Sequence, residues 1–454
     1  MTEQSNGEHS VTLRKKYYFE TYGCQMNSAE SASLALVCRE RGWTESNSED
    51  ADLVLLNTCS VRLTAEKRVL GRIADFCGIK KKSKNKLTIV VAGCMAERMG
   101  ETLKEKHPLV DYVMGTSARS LFPQILQAAE NGEKAVFEKN EKPVFSFSDT
   151  HLDEGKFSSF IPIMHGCDNF CSYCIVPYVR GREVSRDPQN IASEMRLVGE
   201  RGVKSVTLLG QNVNKYKWGE MDFSSLIKFC ASEAKKSGIK WLRFLSANPG
   251  NFSRETIEAL GENPAFCRHI HLPVQHGSTS ILKEMNRGYT AERFLELAGE
   301  IRAAIPGVTL STDILVGFPG ETEDDIDKTL QLMEEVRFLY SYMYHFNPRE
   351  GTKAFDLPGR IEEEVKIERL SRVIELQQKH TRELLKRRIG SEEIVLVEGI
   401  SRKNADELIT RTERDEMVAV PGPKSLIGSF AKLTLSSLKG NTLRAKEALP
   451  CPGV

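Results

Sequence analysis

The sequence lacks a long apolar run: no stretch approaches the ~20 apolar residues that a membrane helix needs. It also lacks an excess of charge, since 63 Lys and Arg residues face 62 Asp and Glu residues. The first ten residues, MTEQSNGEHS, are polar and show no apolar segment of a secretory signal. We therefore expect a cytoplasmic protein with no membrane partner. The near-zero net charge argues neither for nor against nucleic-acid binding, because a basic patch can be hidden in the average.

Cysteine, by contrast, is well represented, with eleven residues. In a reducing cytoplasm these thiols are not expected to form disulfides. A large cytosolic chain with an odd number of cysteines indicates metal binding or catalysis for some of them.

The order of apolar runs and helical patterns predicts an α/β protein of several domains. Apolar runs that end in Gly or Asn turns alternate with helical spacing in the first part, which predicts a parallel sheet covered by helices. Six further strand–helix units predict a partial (β/α)6 barrel, and short apolar runs after Gly390 predict a small all-β barrel. A long helix is expected over about 361–388. The expected divisions are a disordered tail 1–14, an α/β domain 15–130, a linker 131–155, a barrel 156–382, a β domain 383–446 and a tail 447–454.

Cys167, Cys171 and Cys174 form a C-x3-C-x2-C triad just after the first strand of the predicted barrel. Three thiolates within eight residues can wrap one iron–sulfur cluster and leave one of its irons open. Structural zinc is the alternative, but zinc usually has a fourth Cys or His ligand nearby.

Cys24, Cys59 and Cys94 form a second candidate site, at intervals of 35 residues. Each follows a predicted strand and precedes a helix, and such turns gather at the carboxyl edge of a parallel sheet. The alternative is three apolar core cysteines, which the polar sequences YGCQMN, NTCSVR and AGCMAER do not favour. The remaining five cysteines are read as non-ligands: Cys38, Cys77, Cys230, Cys267 and Cys451.

The run CDNFCSYC, with Tyr173 before its last cysteine, resembles the signature of the radical SAM superfamily. The resemblance implies that S-adenosylmethionine binds the open iron and is cleaved to a 5′-deoxyadenosyl radical. It also implies SAM contacts from Tyr173, beside the adenine, and from residues expected at the ends of barrel strands: Gln211, Ser246, Gln275 and Asp313.

The whole chain from about 15 to 443 is similar to the methylthiotransferase family, most clearly in TYGCQMNSAES, NTCSVR, HLPVQHGS, MNRGYT and DILVGFPGE. The resemblance implies two 4Fe-4S clusters, SAM as both methyl donor and radical source, and a terminal TRAM domain that binds RNA. LSANP and VRLTAEKR depart from the family pattern. No proton-transfer residue is assigned.

Among family members, the motifs most resemble the enzyme that methylthiolates carbon 2 of N6-isopentenyladenosine at tRNA position 37. Sister enzymes act on threonylcarbamoyl-adenosine in tRNA or on an aspartate of a ribosomal protein, and both remain open. A non-catalytic iron–sulfur sensor that binds RNA is an alternative of another class. The expected partners are the tRNA anticodon stem-loop, a reductant such as flavodoxin or ferredoxin, and a sulfur donor.

Several basic groups are candidates for phosphate contacts, which would make RNA binding depend on salt. They lie after the cysteine loop, in a Lys run, before the β domain and within it: Arg180, Arg182, Arg186, Lys80 to Lys86, Lys386, Arg387, Arg388, Arg402, Lys403, Arg411 and Arg414.

Overall fold

A computed structural model describes residues 15–48, 50–60, 63–82, 87–135, 146–147 and 156–451, with the side chains of residues 63–65 left out. The chain divides into two compact units, Met1–Ser148 and Asp149–Val454. The predicted tail 1–14 and most of the predicted linker lie outside the described residues. No helix in the described part combines the length and apolar character that a membrane crossing needs.

The first unit contains a parallel five-stranded sheet in the order β2-β1-β3-β4-β5. Its strands are β1 (Lys16–Thr21), β2 (Thr44–Glu45), β3 (Leu53–Thr58), β4 (Thr88–Gly93) and β5 (Tyr112–Met114). Its helices are α1 (Gln25–Glu40), α2 (Leu63–Lys82), α3 (Cys94–Lys106) and α4 (Phe122–Asn131).

Both faces of this sheet are covered, which explains the unbroken apolar run in β3. Leu53 and Leu55 pack with α1 and α4, whereas Val54 and Leu56 pack with α2 and α3. The expectation that β1 is buried is wrong except at Tyr17, because its outer neighbour β2 has only two residues.

The second unit begins with six parallel strands in the order β6-β9-β12-β13-β14-β15. A parallel bridge between Leu242 and Phe266 joins its two halves. The strands between residues 156 and 345, four of which have only two residues, are β6 (Ser158–Pro162), β7 (Met164–His165), β8 (Val184–Ser185), β9 (Ser205–Leu209), β10 (Lys217–Trp218), β11 (Met221–Asp222), β12 (Trp241–Phe244), β13 (His269–His271), β14 (Thr309–Val316) and β15 (Tyr340–His345). The predicted partial (β/α)6 barrel is confirmed.

Helices connect these strands and cover the outside of the barrel core. They are α5 (Val176–Arg180), α6 (Pro188–Glu200), α7 (Phe223–Lys236), α8 (Arg254–Glu262), α9 (Thr279–Glu284), α10 (Ala291–Ala304), α11 (Glu323–Val336) and α12 (Glu363–Lys386). The last of these confirms the long helix expected over about 361–388.

The β domain is a closed barrel in the order β16-β17-β18-β20-β19-β21, closed by pairing of β16 with β19. Its strands are β16 (Glu392–Ile400), β17 (Glu407–Thr412), β18 (Met417–Pro421), β19 (Phe430–Lys439), β20 (Thr442–Ala445) and β21 (Leu449–Pro450). The expectation of a loose tail over 447–454 is wrong at β21. That strand pairs with the part of β19 that the four-residue β20 leaves uncovered.

Candidate active site

The triad Cys167, Cys171 and Cys174 lies on the loop that joins β7 to α5. Cys167 and Cys171 are each 8% exposed, and Cys174 is half-buried. Burial raises the pKa of Cys167 to about 11. Burial, and next the neighbouring Cys171, raise the pKa of Cys174 to about 12. Cys171 acts electrostatically on both of the other thiols, so the three lie close together.

This donor set fits an iron–sulfur cluster. Buried thiols stay protonated unless a cationic centre stabilises their thiolates, and soft thiolates suit iron–sulfur clusters. In the described part of the chain, no three His, Cys, Asp or Glu side chains are arranged to hold one metal ion. The ligands of a four-iron cluster bind different iron atoms, so they do not have to converge on one point as zinc ligands do.

Backbone contacts fix the shape of the cysteine loop where it leaves β7. Gly166 has φ +78°, and a Cβ there would lie 2.0 Å from the carbonyl oxygen of Arg182. Its N–H donates to Oε1 of Gln211 (2.7 Å). The N–H of Cys167 donates to the carbonyl of Gly181 (3.1 Å). Only glycine allows the backbone at position 166 to lie this close to Arg182. These contacts hold the start of the cysteine loop against the segment that follows α5.

The predicted SAM residues differ in their position relative to the barrel strands. Tyr173 packs against a buried apolar cluster that includes Ile281, Phe318 and Phe346. Burial raises the pKa of its hydroxyl well above the usual value. Gln211 follows β9 by two residues, and its amide oxygen already holds the loop at Gly166.

Ser246 and Gln275 lie just beyond β12 and β13, with φ values of +66° and +71°. Left-handed conformations at residues other than glycine often accompany functional sites. Asp313 is placed differently from the expectation that it ends a strand. It is the fifth of eight residues in β14, and its carboxylate lies 3.5 Å from Nε2 of His271.

Sequence reasoning missed Arg287, which lies 116 residues beyond Cys171 in the chain. Its Nη1 donates to Sγ of Cys171 at 3.3 Å. The only sequence feature that could have indicated a role for Arg287 is its position inside MNRGYT, one of the stretches that resemble the methylthiotransferase family. Spacing alone could not bring it to the cysteine loop.

In the first unit, Cys24, Cys59 and Cys94 lie at the carboxyl edge of three neighbouring strands. Cys59 directly follows β3 and Cys94 directly follows β4, whose last residues pair with each other. Cys24 lies three residues after β1 and is exposed, whereas Cys59 and Cys94 are 4% and 6% exposed. A Cβ on Gly23 would lie 3.0 Å from Sγ of Cys59. Sequence positions 35 residues apart thus meet at one edge of the sheet.

Two buried asparagines, which sequence reasoning did not single out, tie this edge together. Asn27 Nδ2 donates to Asn57 Oδ1 (3.2 Å) and to the carbonyl of Thr58 (2.9 Å). Asn57 Nδ2 donates to the carbonyl of Asn27 (2.9 Å). These bonds fix the start of α1, and hence Cys24, against the end of β3. The signal available was that each asparagine lies within three residues of a cysteine.

The expectation for the basic groups is wrong for several of them. Arg180 and Arg186 are buried, with Arg180 near His165 and Arg186 paired with Glu194. Lys80 is buried in an ion pair with Asp111. Three more arginines of the set are held by partners in the protein: Arg388 by buried Glu416, Arg411 by half-buried Glu398, and Arg414 by the carbonyl of exposed Gly307.

The exposed members of that set are Arg182, Lys81, Lys82, Lys386, Arg387, Arg402 and Lys403. Residues 83–86 of the predicted Lys run lie outside the described residues.

Comparisons with known proteins cover both units. Residues 161–333 match the model of the radical SAM superfamily, residues 16–115 match uncharacterized protein family UPF0004, and residues 386–447 match the TRAM domain. A tRNA-2-methylthio-N(6)-dimethylallyladenosine synthase from Treponema denticola is 50% identical, over 94% of this chain and 99% of the relative. One from Geobacter sulfurreducens is 42% identical, over 95% and 97%. The chain belongs to this synthase family.

As a member of the synthase family and of the radical SAM superfamily, the chain is an enzyme that uses S-adenosylmethionine and 4Fe-4S clusters. The predicted family and fold class are confirmed. Among solved structures, the radical SAM methyltransferase TsrM from Kitasatospora setae has a TM-score of 0.58 at 14% identity, covering 76% of this chain and 77% of that one. At that identity the likeness concerns the fold alone.

Proposed function

We propose that this synthase attaches a methylthio group to carbon 2 of N6-isopentenyladenosine at tRNA position 37. SAM serves as both methyl donor and radical source. The observation that carries the proposal is the second three-cysteine site, at the carboxyl edge of β1, β3 and β4. A radical enzyme that only abstracts hydrogen needs one cluster, whereas sulfur insertion also needs a sulfur carrier. The names of the relatives support the same substrate.

We assign each cofactor to a set of residues and each set to a predicted domain. The first cluster belongs to Cys24, Cys59 and Cys94 in domain 15–130, and the second to Cys167, Cys171 and Cys174 in domain 156–382. SAM is assigned to Tyr173, Gln211, Ser246, Gln275 and Asp313. When bound, these groups supply one-electron cleavage of SAM and a sulfur for transfer to the base.

The chain itself holds and orients these groups. Gln211 and Gly166 set the entry of the cysteine loop. Ser172 fixes its middle, since its N–H donates to the carbonyl of Met285 (3.0 Å) and its hydroxyl donates to that of Glu284 (2.8 Å). Tyr173 anchors the end of the loop by packing against a buried apolar cluster.

The proposed partners follow from this chemistry. The anticodon stem-loop of tRNA would meet domain 383–446, where Arg402 and Lys403 are exposed. A flavodoxin or ferredoxin would supply electrons, and a separate donor would replace the transferred sulfur. All of these partners imply a cytoplasmic enzyme.

Mass spectrometry of tRNA nucleosides from a deletion strain tests the substrate. The 2-methylthio derivative should disappear while N6-isopentenyladenosine accumulates, and the full chain supplied in trans should restore it. Unchanged tRNA with a ribosomal aspartate losing the mass of a methylthio group would contradict the proposal. Loss of methylthio threonylcarbamoyl-adenosine alone would contradict it as well.

Cysteine variants test the assignment of the two sites. Cys94→Ala should end methylthiolation while the anaerobic enzyme still forms 5′-deoxyadenosine, whereas Cys171→Ala should end both. Cys77→Ala, on α2 and in neither set of three cysteines, should keep both activities. Methylthiolation by the Cys94 variant would mean that this site is not the sulfur carrier.

A further inference from the structure

The segment that follows α9 packs directly against the cysteine loop of the barrel. Asn286 Nδ2 donates to the carbonyls of Asn169 (3.2 Å) and Phe170 (3.1 Å). The next residue is Arg287, whose Nη1 lies 3.3 Å from Sγ of Cys171. A guanidinium therefore donates to the sulfur of the middle cysteine.

Acceptors on three sides fix the plane of this guanidinium. Besides Cys171, Nη2 donates to the carbonyl of Pro273 (3.0 Å) and Nε donates to the hydroxyl of Tyr289 (3.1 Å). That hydroxyl donates in turn to the carbonyl of Val274 (2.9 Å). The rigid fork of arginine suits such a site, and the compact ammonium of lysine does not reproduce it.

The acceptors of Arg287 are a sulfur, a backbone carbonyl and a hydroxyl. No carboxylate pairs with it in the part of the chain that the structure describes. Two other arginines with little exposure differ in this respect: Arg369 pairs with Glu321 and Glu323, and Arg186 pairs with Glu194. The positive charge of Arg287 is thus left to act on the sulfur, in a half-buried place where water screens it weakly.

We propose that Arg287 is a positioning residue that raises the reduction potential of the cluster held by Cys167, Cys171 and Cys174. Hydrogen bonds to ligand sulfurs and nearby charge are the means by which proteins set such potentials. Reduction adds one negative charge, which a neighbouring cation stabilises. The inference rests on the proposed function in that these cysteines must hold the cluster.

The test is a redox titration of the full chain in which Cys24→Ala, Cys59→Ala and Cys94→Ala leave only the barrel cysteines to bind iron. This parent and its R287M, R287K and R287Q derivatives are reconstituted anaerobically and titrated with dithionite. The EPR signal of the reduced cluster gives the midpoint, and iron content is measured separately. Arg254→Met is the matched control, since Arg254 is exposed on α8 and pairs with Glu258.

The Met variant should lose at least tenfold in its reduction equilibrium, which is about 59 mV for a one-electron couple. The Lys variant should lie between it and the parent, and the control should not shift. If the Met variant holds less iron, the Lys and Gln variants decide: a lower midpoint with Gln supports the charge effect, and equal midpoints overturn it.

Two failures are distinguishable. A parent that binds no iron would overturn the assignment of the cysteines and this proposal with it. An iron-loaded Met variant whose midpoint equals that of the parent would overturn the role of Arg287 alone.

Discussion

His269, on β13, is a residue whose surroundings in the barrel govern its protonation. Its Nδ1 lies 2.8 Å from the hydroxyl of Thr309, and its Nε2 lies 2.9 Å from that of Ser311. Burial lowers its pKa to about 4; Asp415 opposes the shift and Arg243 adds to it. The imidazole therefore stays neutral where an unfolded histidine would take a proton.

This pKa predicts how stability responds to acid. Below the unfolded pKa of about 6.5 the unfolded chain binds a proton that the folded chain refuses, so stability falls as pH drops from about 6.5 to about 4. His269→Gln keeps a polar partner for the two hydroxyls and removes this titration. Between about pH 7 and about pH 5 its melting temperature should therefore drop less than that of the wild type. Equal drops would contradict the shift.

Some residues of the candidate site could be predicted from the sequence and others could not. The triad cysteines could be named from local spacing, because eight residues of one loop cannot separate far. Tyr173 was named from the family resemblance alone. Arg287 could not be named from spacing, since its neighbour Cys171 lies on a different loop. Asp313 was expected at a strand end, but the length of β14 is decided by its pairing with β15.

At the scale of elements, the loop from β7 to α5 depends on the backbone at Gly166. Gly166→Ala would place a methyl group against the Arg182 carbonyl in a left-handed conformation, which costs roughly 1 kcal/mol or more before the clash. We expect the loop to open, with a lower iron content after reconstitution. Iron and sulfide analysis would measure this.

Gly299→Ala is the matched control, because a Cβ there meets nothing within 4 Å and the residue lies in α10. It should bind iron normally and gain up to about 1 kcal/mol of helix stability. Full iron content in the Gly166 variant would show that the close approach is not required.

Patterns of apolar spacing predicted the long elements well. The runs that became β3, β4 and α12 contain enough residues for periodicity to be read. Strands β20 and β21 were missed, because four and two residues carry no period. They form only by pairing with distant strands: β20 with β18 and β19, and β21 with β19.

At the scale of the whole molecule, the β domain packs onto the barrel within the second unit. The rings of Trp241 and Phe430 meet edge to face with centroids 4.9 Å apart. Arg243 Nη2 also donates to the carbonyl of Thr412 (3.0 Å), the last residue of β17. The β domain is therefore part of the support of the barrel.

Phe430→Ala should lower the free energy of unfolding of the second unit by about 3–5 kcal/mol, because Phe430 is only 4% exposed. Urea unfolding of the intact chain measures the change. Leu449→Ala, at a 55% exposed residue of β21, should change stability by less than about 0.5 kcal/mol. A similar small effect for Phe430 would show that the two barrels are energetically independent.

RNA binding should depend on the cations that remain exposed. Neutralising Arg402 and Lys403 together as Gln should weaken tRNA binding and reduce the slope of log affinity against log salt by roughly one to two. Filter binding over a salt series measures both quantities. The matched double variant Lys228→Gln with Lys235→Gln, on α7, should leave the slope unchanged. Equal slopes for both pairs would exclude Arg402 and Lys403 as phosphate contacts.

The sequence by itself determined the cysteine loop, the strand–helix alternation and the three-part organisation, because these depend on spacing within one element or one turn. The tertiary structure decided which charges remain at the surface: Arg186 and Lys80 read as phosphate contacts, yet each is buried beside a carboxylate from elsewhere in the chain. It also brought Arg287 to Cys171. Burial and long-range pairing depend on which residues from distant parts of the chain pack against a side chain, and only the tertiary structure determines these neighbours.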